Sequence, residues 1–358
     1  MNGNPRGTEG MSDWNITSAT PMPKLSVLKH DIPLSEEVFD RVVRPARVAI
    51  QNILAGEDKR FLIVVGPCSI HNTNEAGEYA SKLLALIPEV SDQLFIVMRT
   101  CLDKPRSGLG WPGFFMDPDL NGSKKADEGW RKGRKLLVEI VTSGVPVGLE
   151  LLDAHACQVV DECAAYWWIG ARTVTSQRLR EIASGLSTPV GFKNPTEGDI
   201  AGAIEAIETA RHHSAFLAIN QHDILCEYRT SGNQFGHLIL RGSSKGPNYD
   251  EPSVAKTVHQ LAQRGLPTEL LVDLNHANSG KDHRLQREIL ADVVGRVVNG
   301  NTHLRGVLYE SYLEGGKQIH TKDLSLLKPR LSITDGCDSW EDTREALLRA
   351  RDALAKRA

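Results

Sequence analysis

From about Pro33 onward the chain alternates short apolar runs, most of them β-branched, with longer segments of helical period. The runs are FLIVVGP (61–67), LFIVMR (94–99), PVGLELL (146–152), WWIGAR (167–172), PVGFK (189–193), AFLAI (215–219), HLILR (237–241), ELLVDL (269–274) and RGVLYE (305–310). Between them lie stretches such as EAGEYASKLLALI (75–87), GWRKGRKLLVEIVTSG (129–144) and SVAKTVHQLAQRG (253–265). Strands that read as unbroken apolar runs are covered on both faces, and their alternation with helices predicts a parallel sheet. AFLAI and HLILR have no helical stretch between them, so a β-hairpin inserted in strand six reduces the nine runs to eight. The expectation is therefore α/β, a TIM (β/α)8 barrel over residues 33–358. Residues 1–32, polar and rich in Gly and Pro, are expected to form a partly flexible N-terminal extension.

Composition narrows the class. The 358 residues carry 42 Lys plus Arg against 45 Asp plus Glu, a formal charge of −3. That balance gives no bulk electrostatic reason to bind nucleic acid or an anionic membrane. No apolar run approaches the ~20 residues needed to cross a bilayer. The first thirty residues lack a basic-then-apolar leader pattern, so a cytoplasmic protein is expected. The six cysteines are scattered without a CxxC pair, as suits free thiols.

The ends of the runs carry the chemistry. Reading along the chain, the polar groups there are Cys68, Arg99, Glu150, Arg172, Lys193, Arg241, His276 and Glu310. In a barrel these ends converge on one face, where active sites are built. Four of the eight are cationic, and like charges in one mouth require an anion: a small substrate bearing phosphate and carboxylate. With Asp335, which follows the last run, the thiol, imidazole and carboxylate make a mixed S, N and O donor set. Such a set suits a borderline divalent ion such as Mn, Fe, Co or Zn better than Mg or Ca.

The segments VVGPCSIHN, VMRTCLDKPRS followed by GWPGF, IGARTVTSQ, ASGLSTPVGFKN, ILRG, DLNHANSGK and SITDGCDSWEDT resemble type I 3-deoxy-D-arabino-heptulosonate 7-phosphate (DAHP) synthases, in family order from about Val27 to the C-terminus. The resemblance implies condensation of phosphoenolpyruvate with D-erythrose 4-phosphate, the entry to the shikimate pathway. It implies a divalent metal held by Cys68, His276, Glu310 and Asp335. Arg99, Lys104, Gly170, Ala171, Arg172, Lys193 and Arg241, with Glu150 nearby, would bind phosphoenolpyruvate. Lys104, Pro105, Arg106 and Ser107 would form the aldose-phosphate side, and Lys104, Lys193, His276 and Glu150 would be the catalytic groups. A homo-oligomer, dimer or tetramer, is usual in the family.

Departures from the family pattern leave every one of these residues in place. Cys157 stands where a proline is usual, Asn275 precedes His276, and Tyr312 follows Glu310 in ESYL. The hairpin lacks the glycine expected at 222–224. Ala218 replaces a frequent serine in the region that holds the effector of amino-acid-inhibited members, where Asp153 and Ser187 are kept. Weak or absent inhibition by Phe, Tyr or Trp is expected, as would suit an isozyme feeding secondary metabolism. Two other readings stay open: a family enzyme that takes a different aldose phosphate, and a non-catalytic regulatory barrel.

Overall fold

The computed structural model describes residues 15–321 and 323–357; the first fourteen residues of the expected extension lie outside the described residues. Ten strands follow one another along them: β1 (Phe61–Gly66), β2 (Leu94–Arg99), β3 (Val147–Glu150), β4 (Ala164–Ile169), β5 (Val190–Lys193), β6 (Ser214–Ile219), β7 (Leu225–Thr230), β8 (Gly236–Leu240), β9 (Leu270–Asp273) and β10 (Leu304–Glu310). Eight of them close a parallel barrel in the order β1-β10-β9-β8-β5-β4-β3-β2. The (β/α)8 expectation holds, with one change in detail. AFLAI is not half of a barrel strand: it lies in β6, which pairs with β7 in a separate antiparallel ladder from Ser214↔Thr230 to Ile219↔Leu225. The hairpin therefore precedes the sixth barrel strand, β8, which runs uninterrupted.

The pleat sorts the strands into two packing layers, because alternate side chains point to opposite faces. Ile63, Val65, Ile96, Met98, Leu149, Trp167, Phe192, Leu238 and Val272 pack outward among the helices. Leu62, Val64, Val97, Tyr166, Trp168, Ile239, Leu271 and Leu308 fill the interior as a second cluster. The wide rings on β4 need narrow neighbours. A Cβ on Gly191 of β5 would come within 2.3 Å of the Tyr166 hydroxyl, and one on Gly148 of β3 would sit 3.4 Å from Trp168. The Trp167–Trp168 pair thus puts one ring outside the barrel and one inside.

The N-terminal end of the barrel is closed by the chain before β1. Helix Arg44–Ala55 sends Ala46, Ile50, Ile53 and Leu54 into the interior cluster. It ends at Gly56, whose φ of +78° supplies the left-handed turn that stops the helix. Upstream it is continuous with a π-helical turn over Phe39–Val43, just ahead of Pro45, which has no N–H to give to an α-helical ladder. Within the expected extension, Leu25–Asp31 form a helix whose Leu28 is buried in the outer cluster. With the N-terminal end plugged, the C-terminal ends of the strands are left as the working face.

Candidate active site

Continuing the inward parity of each strand by one step leads to the mouth. Val97 leads to Arg99, Gly148 to Glu150, Gly191 to Lys193, Ile239 to Arg241, Leu271 to Asp273 and Leu308 to Glu310. In these six strands the last inward position is charged, and the one below it is apolar or glycine. Five of the six line a single cleft: Arg99, Glu150, Lys193, Arg241 and Glu310. Lys104, Pro105 and Arg106 from the segment after β2, Gly170, Ala171 and Arg172 after β4, and His276 and Asp335 add to its wall. A Cβ on Gly170 would fall 2.1 Å from the Glu150 carboxylate, so glycine there lets the carboxylate lie against the neighbouring strand end.

The cations are less alone than four like charges suggested. Arg99 Nη2 donates to Glu310 Oε1 at 2.9 Å, and its guanidinium lies over the Trp168 ring at 5.0 Å. Lys193 Nζ donates to Asp273 Oδ2 at 2.5 Å. Two of the four are therefore matched by carboxylates from other strands, which corrects the expectation of an uncompensated ring. Even so, Arg99 Nε and Nη1 are buried donors without a partner among the described residues. Arg172 and Arg241 keep the surplus charge. Arg172 Nε donates to the Ser107 hydroxyl at 3.0 Å. Arg241 is held below its ordinary value by burial, and Arg172 lowers it further despite Asp273, Asp335 and Glu310. An anionic ligand would relieve that pair and satisfy the spare Arg99 donors.

A donor set for a metal ion gathers beside the cations. The Cys68 thiol, Glu310 and Asp335 bring ligand atoms within 4.8 Å of one another. His276 stands at the edge of this trio, its Nε2 4.0 Å from Glu310 Oε1. Asp273 fixes the imidazole from behind through Nδ1 at 3.0 Å, the carboxylate–histidine arrangement that orients a metal ligand. The backbone of His276 sits at φ +55°, a left-handed conformation uncommon for a non-glycine residue, and Lys281 N pins its carbonyl at 2.7 Å. Burial would raise Asp273, but His276 and Lys193 hold its carboxyl well below the usual range. Burial, with Glu310 adding to it, pushes the Cys68 thiol up to about 12. The Lys104 ammonium beside it lowers the thiol without reversing that shift, and a divalent ion would supply the further positive charge a thiolate needs, so the donor chemistry fits one.

Lys104 links the two halves. Its Nζ donates to the Cys68 carbonyl at 3.0 Å and lies 3.3 Å from Cys68 Sγ. Burial would lower its pKa, but Cys68, Cys101, Glu150 and Glu310 together hold it above the ordinary lysine value, so it stays an ammonium. Arg106 Nε donates to the Trp111 carbonyl at 2.8 Å, which bends its segment back toward GWPGF. Asp273 and Thr196 escape a reading from sequence, where Asn275 stands only as a departure from the family pattern. Asn275 Nδ2 donates to Glu310 Oε2 at 2.5 Å and to the Gly336 carbonyl at 3.0 Å, and Thr196 lines the cleft. Asp273 is hidden inside the run ELLVDL, although its inward parity with Leu271 marks it.

A profile of the DAHP synthetase I family matches residues 32–348. A Tyr-sensitive phospho-2-dehydro-3-deoxyheptonate aldolase of Escherichia coli is 41% identical over 341 residues, 95% of this chain and 95% of that one. A Trp-sensitive phospho-2-dehydro-3-deoxyheptonate aldolase of the same organism is 42% identical over 315 residues, 88% of this chain and 90% of that one. The solved structure of a phospho-2-dehydro-3-deoxyheptonate aldolase from Francisella tularensis superposes with a TM-score of 0.92 at 38% identity, covering 96% of this chain and 100% of that one.

Proposed function

The chain belongs to the DAHP synthetase I family, and from that premise we propose that it condenses phosphoenolpyruvate with D-erythrose 4-phosphate and water to give DAHP and inorganic phosphate. The observation that carries this reading is the single cleft in which Arg99, Lys104, Arg172, Lys193 and Arg241 face His276, Glu310 and Asp335. Arg172 and Arg241, the pair with surplus charge, hold the phosphate of phosphoenolpyruvate. Lys193 and Arg99 face its carboxylate from positions fixed by Asp273 and Glu310. Arg106 and Ser107 receive the phosphate of the aldose, and Lys104 lies between the two substrates.

C3 of the enol attacks the aldehyde carbon, forming the new carbon–carbon bond and leaving positive character at C2. Lys104, an ammonium beside Cys68, donates a proton to the developing aldehyde oxygen. Water adds to C2, and departure of phosphate leaves the ketone. Glu150, the carboxylate of the cleft wall that belongs neither to the ion pairs of Arg99 and Lys193 nor to the metal-donor set, takes the proton of this water. The cationic pair stabilises the departing phosphate. Cys68, His276, Glu310 and Asp335 would hold a divalent ion of the Mn, Fe, Co or Zn kind, which supplies Lewis-acid polarisation of the aldehyde when bound.

Among the described residues no helix is long and apolar enough to cross a membrane. We infer a cytoplasmic enzyme of small polar metabolites, assembled as a homo-oligomer, dimer or tetramer. The outer face of the hairpin supports association, with Leu217 at 55% and Leu225 at 61% exposure. The test of function is a metal-reconstituted assay with phosphoenolpyruvate and a panel of aldoses, phosphorylated and not, with phosphate release and product mass recorded. Turnover with erythrose 4-phosphate that a chelator abolishes is the expected result. Preference for another aldose phosphate would move the enzyme within its family, and no turnover with any of them would overturn the reading.

A further inference from the structure

Behind the Lys104–Ser107 segment lies a second, small cavity, separate from the cleft, with room for about one water. Two of its lining residues bury a polar atom that has no hydrogen-bond partner among the described residues: Asp103 at Oδ1 and Trp167 at the indole Nε1. A buried carboxyl oxygen and a buried N–H left unmatched are costly, so finding both residues on one cavity needs a reason. Glu150 lines both this cavity and the catalytic cleft, and so forms the wall between them. The backbone of Asp103 is fixed in place. It bridges to Gly113, where a Cβ would fall 2.5 Å from Asp103 Cα, and Lys104 N donates to the Pro112 carbonyl at 3.0 Å.

We propose that Asp103 is a positioning residue for the aldose-phosphate segment: its protonated carboxyl seats Lys104–Ser107 against Trp167, and its ionisation loosens that seat. The groups facing it favour the neutral form. Glu150 stands on β3, and Asp153 and the Cys157 thiol come from the start and body of helix Ala154–Val160. Asp153 is engaged in capping that helix, its Oδ1 accepting from His155 N at 2.9 Å and Ala156 N at 2.8 Å. The cation next along the chain, Lys104, is turned away toward Cys68. Burial first, then Asp153 and Glu150, push the Asp103 carboxyl up to about 7. A seated carboxyl that holds its proton more tightly than a solvated one gives a seat strongest below about pH 4, weakening as the pH climbs to about 7 and weakest above that.

This inference rests on the reading of Lys104–Ser107 as the aldose-phosphate side, so the experiment has one arm that needs no turnover. In the first arm, the intrinsic tryptophan fluorescence of the full chain is titrated. A transition with a midpoint near about pH 7 is expected in the wild type and its loss in Asp103→Asn, which stays neutral throughout. In the second arm, the KM for erythrose 4-phosphate is measured for the metal-loaded enzyme from about pH 5.5 to about pH 8. The ratio of wild-type KM to Asp103→Asn KM should rise at least about threefold over that range, while the ratio of kcat values changes less, because Lys104 Nζ stays held by the Cys68 carbonyl. Asp153→Asn, which removes a facing charge that raises the Asp103 carboxyl and still caps its helix, should move both the fluorescence midpoint and the KM rise to lower pH; it keeps the proposal testable if Asp103→Asn does not fold. A wild type without the fluorescence transition, a transition that survives in Asp103→Asn, or parallel KM profiles in the two proteins would overturn it. Absence of turnover with erythrose 4-phosphate would instead remove the functional reading, with the fluorescence arm still deciding the proton site.

Discussion

The floor and the mouth of this barrel are built from the same strands with the same inward parity, yet they treat polar groups in opposite ways. At the floor, Tyr166 and His237 close on each other. The Tyr166 hydroxyl and His237 Nε2 are 2.9 Å apart, and His237 Nδ1 lies 3.2 Å from the Phe235 carbonyl. A carbonyl can only accept, so Nδ1 carries the hydrogen and Nε2 accepts from the tyrosine. Burial pushes His237 down to about 4, which keeps the ring neutral at any ordinary pH. Two inward positions further on, just past the end of β8, the same face carries Arg241, whose charge is left in surplus beside Arg172. The Tyr166–His237 pair is satisfied from within, whereas the mouth withholds satisfaction where a ligand would supply it. Stability and chemistry occupy different layers of one stack.

That division can be broken most sharply at the donor trio. Cys68→Ala removes the thiol and should lower condensation by at least about a thousandfold, beyond the ten- to hundredfold typical of a supporting residue. Metal content, read by elemental analysis, should fall with it, while the thermal midpoint holds. Full activity with an undiminished metal stoichiometry would exclude Cys68 from the donor set.

Asp273→Asn probes the layer just behind. The carboxylate accepts from Lys193 and orients His276, so its loss should cost about 10- to 100-fold in metal affinity and in kcat together. A metal titration alongside steady-state kinetics tests this. A change in kcat at unchanged metal affinity would show that Asp273 acts through Lys193 alone.

At the floor the expectation reverses. Tyr166→Phe leaves His237 Nε2 without its donor and should cost about 1–3 kcal/mol of unfolding free energy. Activity measured well below the transition should stay within about twofold of wild type. Denaturant melts and rate assays on the same preparation suffice. A loss of rate as large as that at Asp273 would mean that the two layers are mechanically one.

The same division explains what is legible in the chain itself. Apolar runs alternating with helical segments are enough for the eight strands, because strands covered on both faces leave a continuous signature. Cys68, Arg99 and Glu310 are legible because a polar residue ending an apolar run stands out, and Glu150 because it interrupts one. Asp273 interrupts ELLVDL in the same way, yet its meaning comes only from pairing with Lys193, eighty positions away. Pairing across the barrel also reduces the ring of four cations to two in surplus, a fact no strand carries by itself. AFLAI misleads for a related reason. Its residues face helix Gln177–Gly185 on one side and solvent on the other, so a hairpin strand imitates a barrel strand in composition.

The smallest expected effect is at that hairpin. The resemblance assigns the effector of amino-acid-inhibited members to the region of Asp153, Ser187 and Ala218, and here the protein's own groups meet one another there. Phe216 and Tyr228, cross-strand partners on β6 and β7, stack with ring centroids 5.8 Å apart and planes 16° from parallel. Ala218 is buried on the same face opposite Cys226, and Asp153 is engaged in capping helix Ala154–Val160. An aromatic amino acid would have to displace Tyr228 to reach Phe216. Rates with Phe, Tyr or Trp added at millimolar concentration should therefore stay within about twofold of the control, since a ligand that must first break this stack keeps little differential affinity with which to shift the enzyme between states. Strong inhibition by any one of the three would place the effector in the adjoining groove that Asp153 itself lines with Leu25, Trp130, His155 and Ile219. Inhibition that emerges only in Tyr228→Ala would show that the tyrosine ring itself is what closes the site.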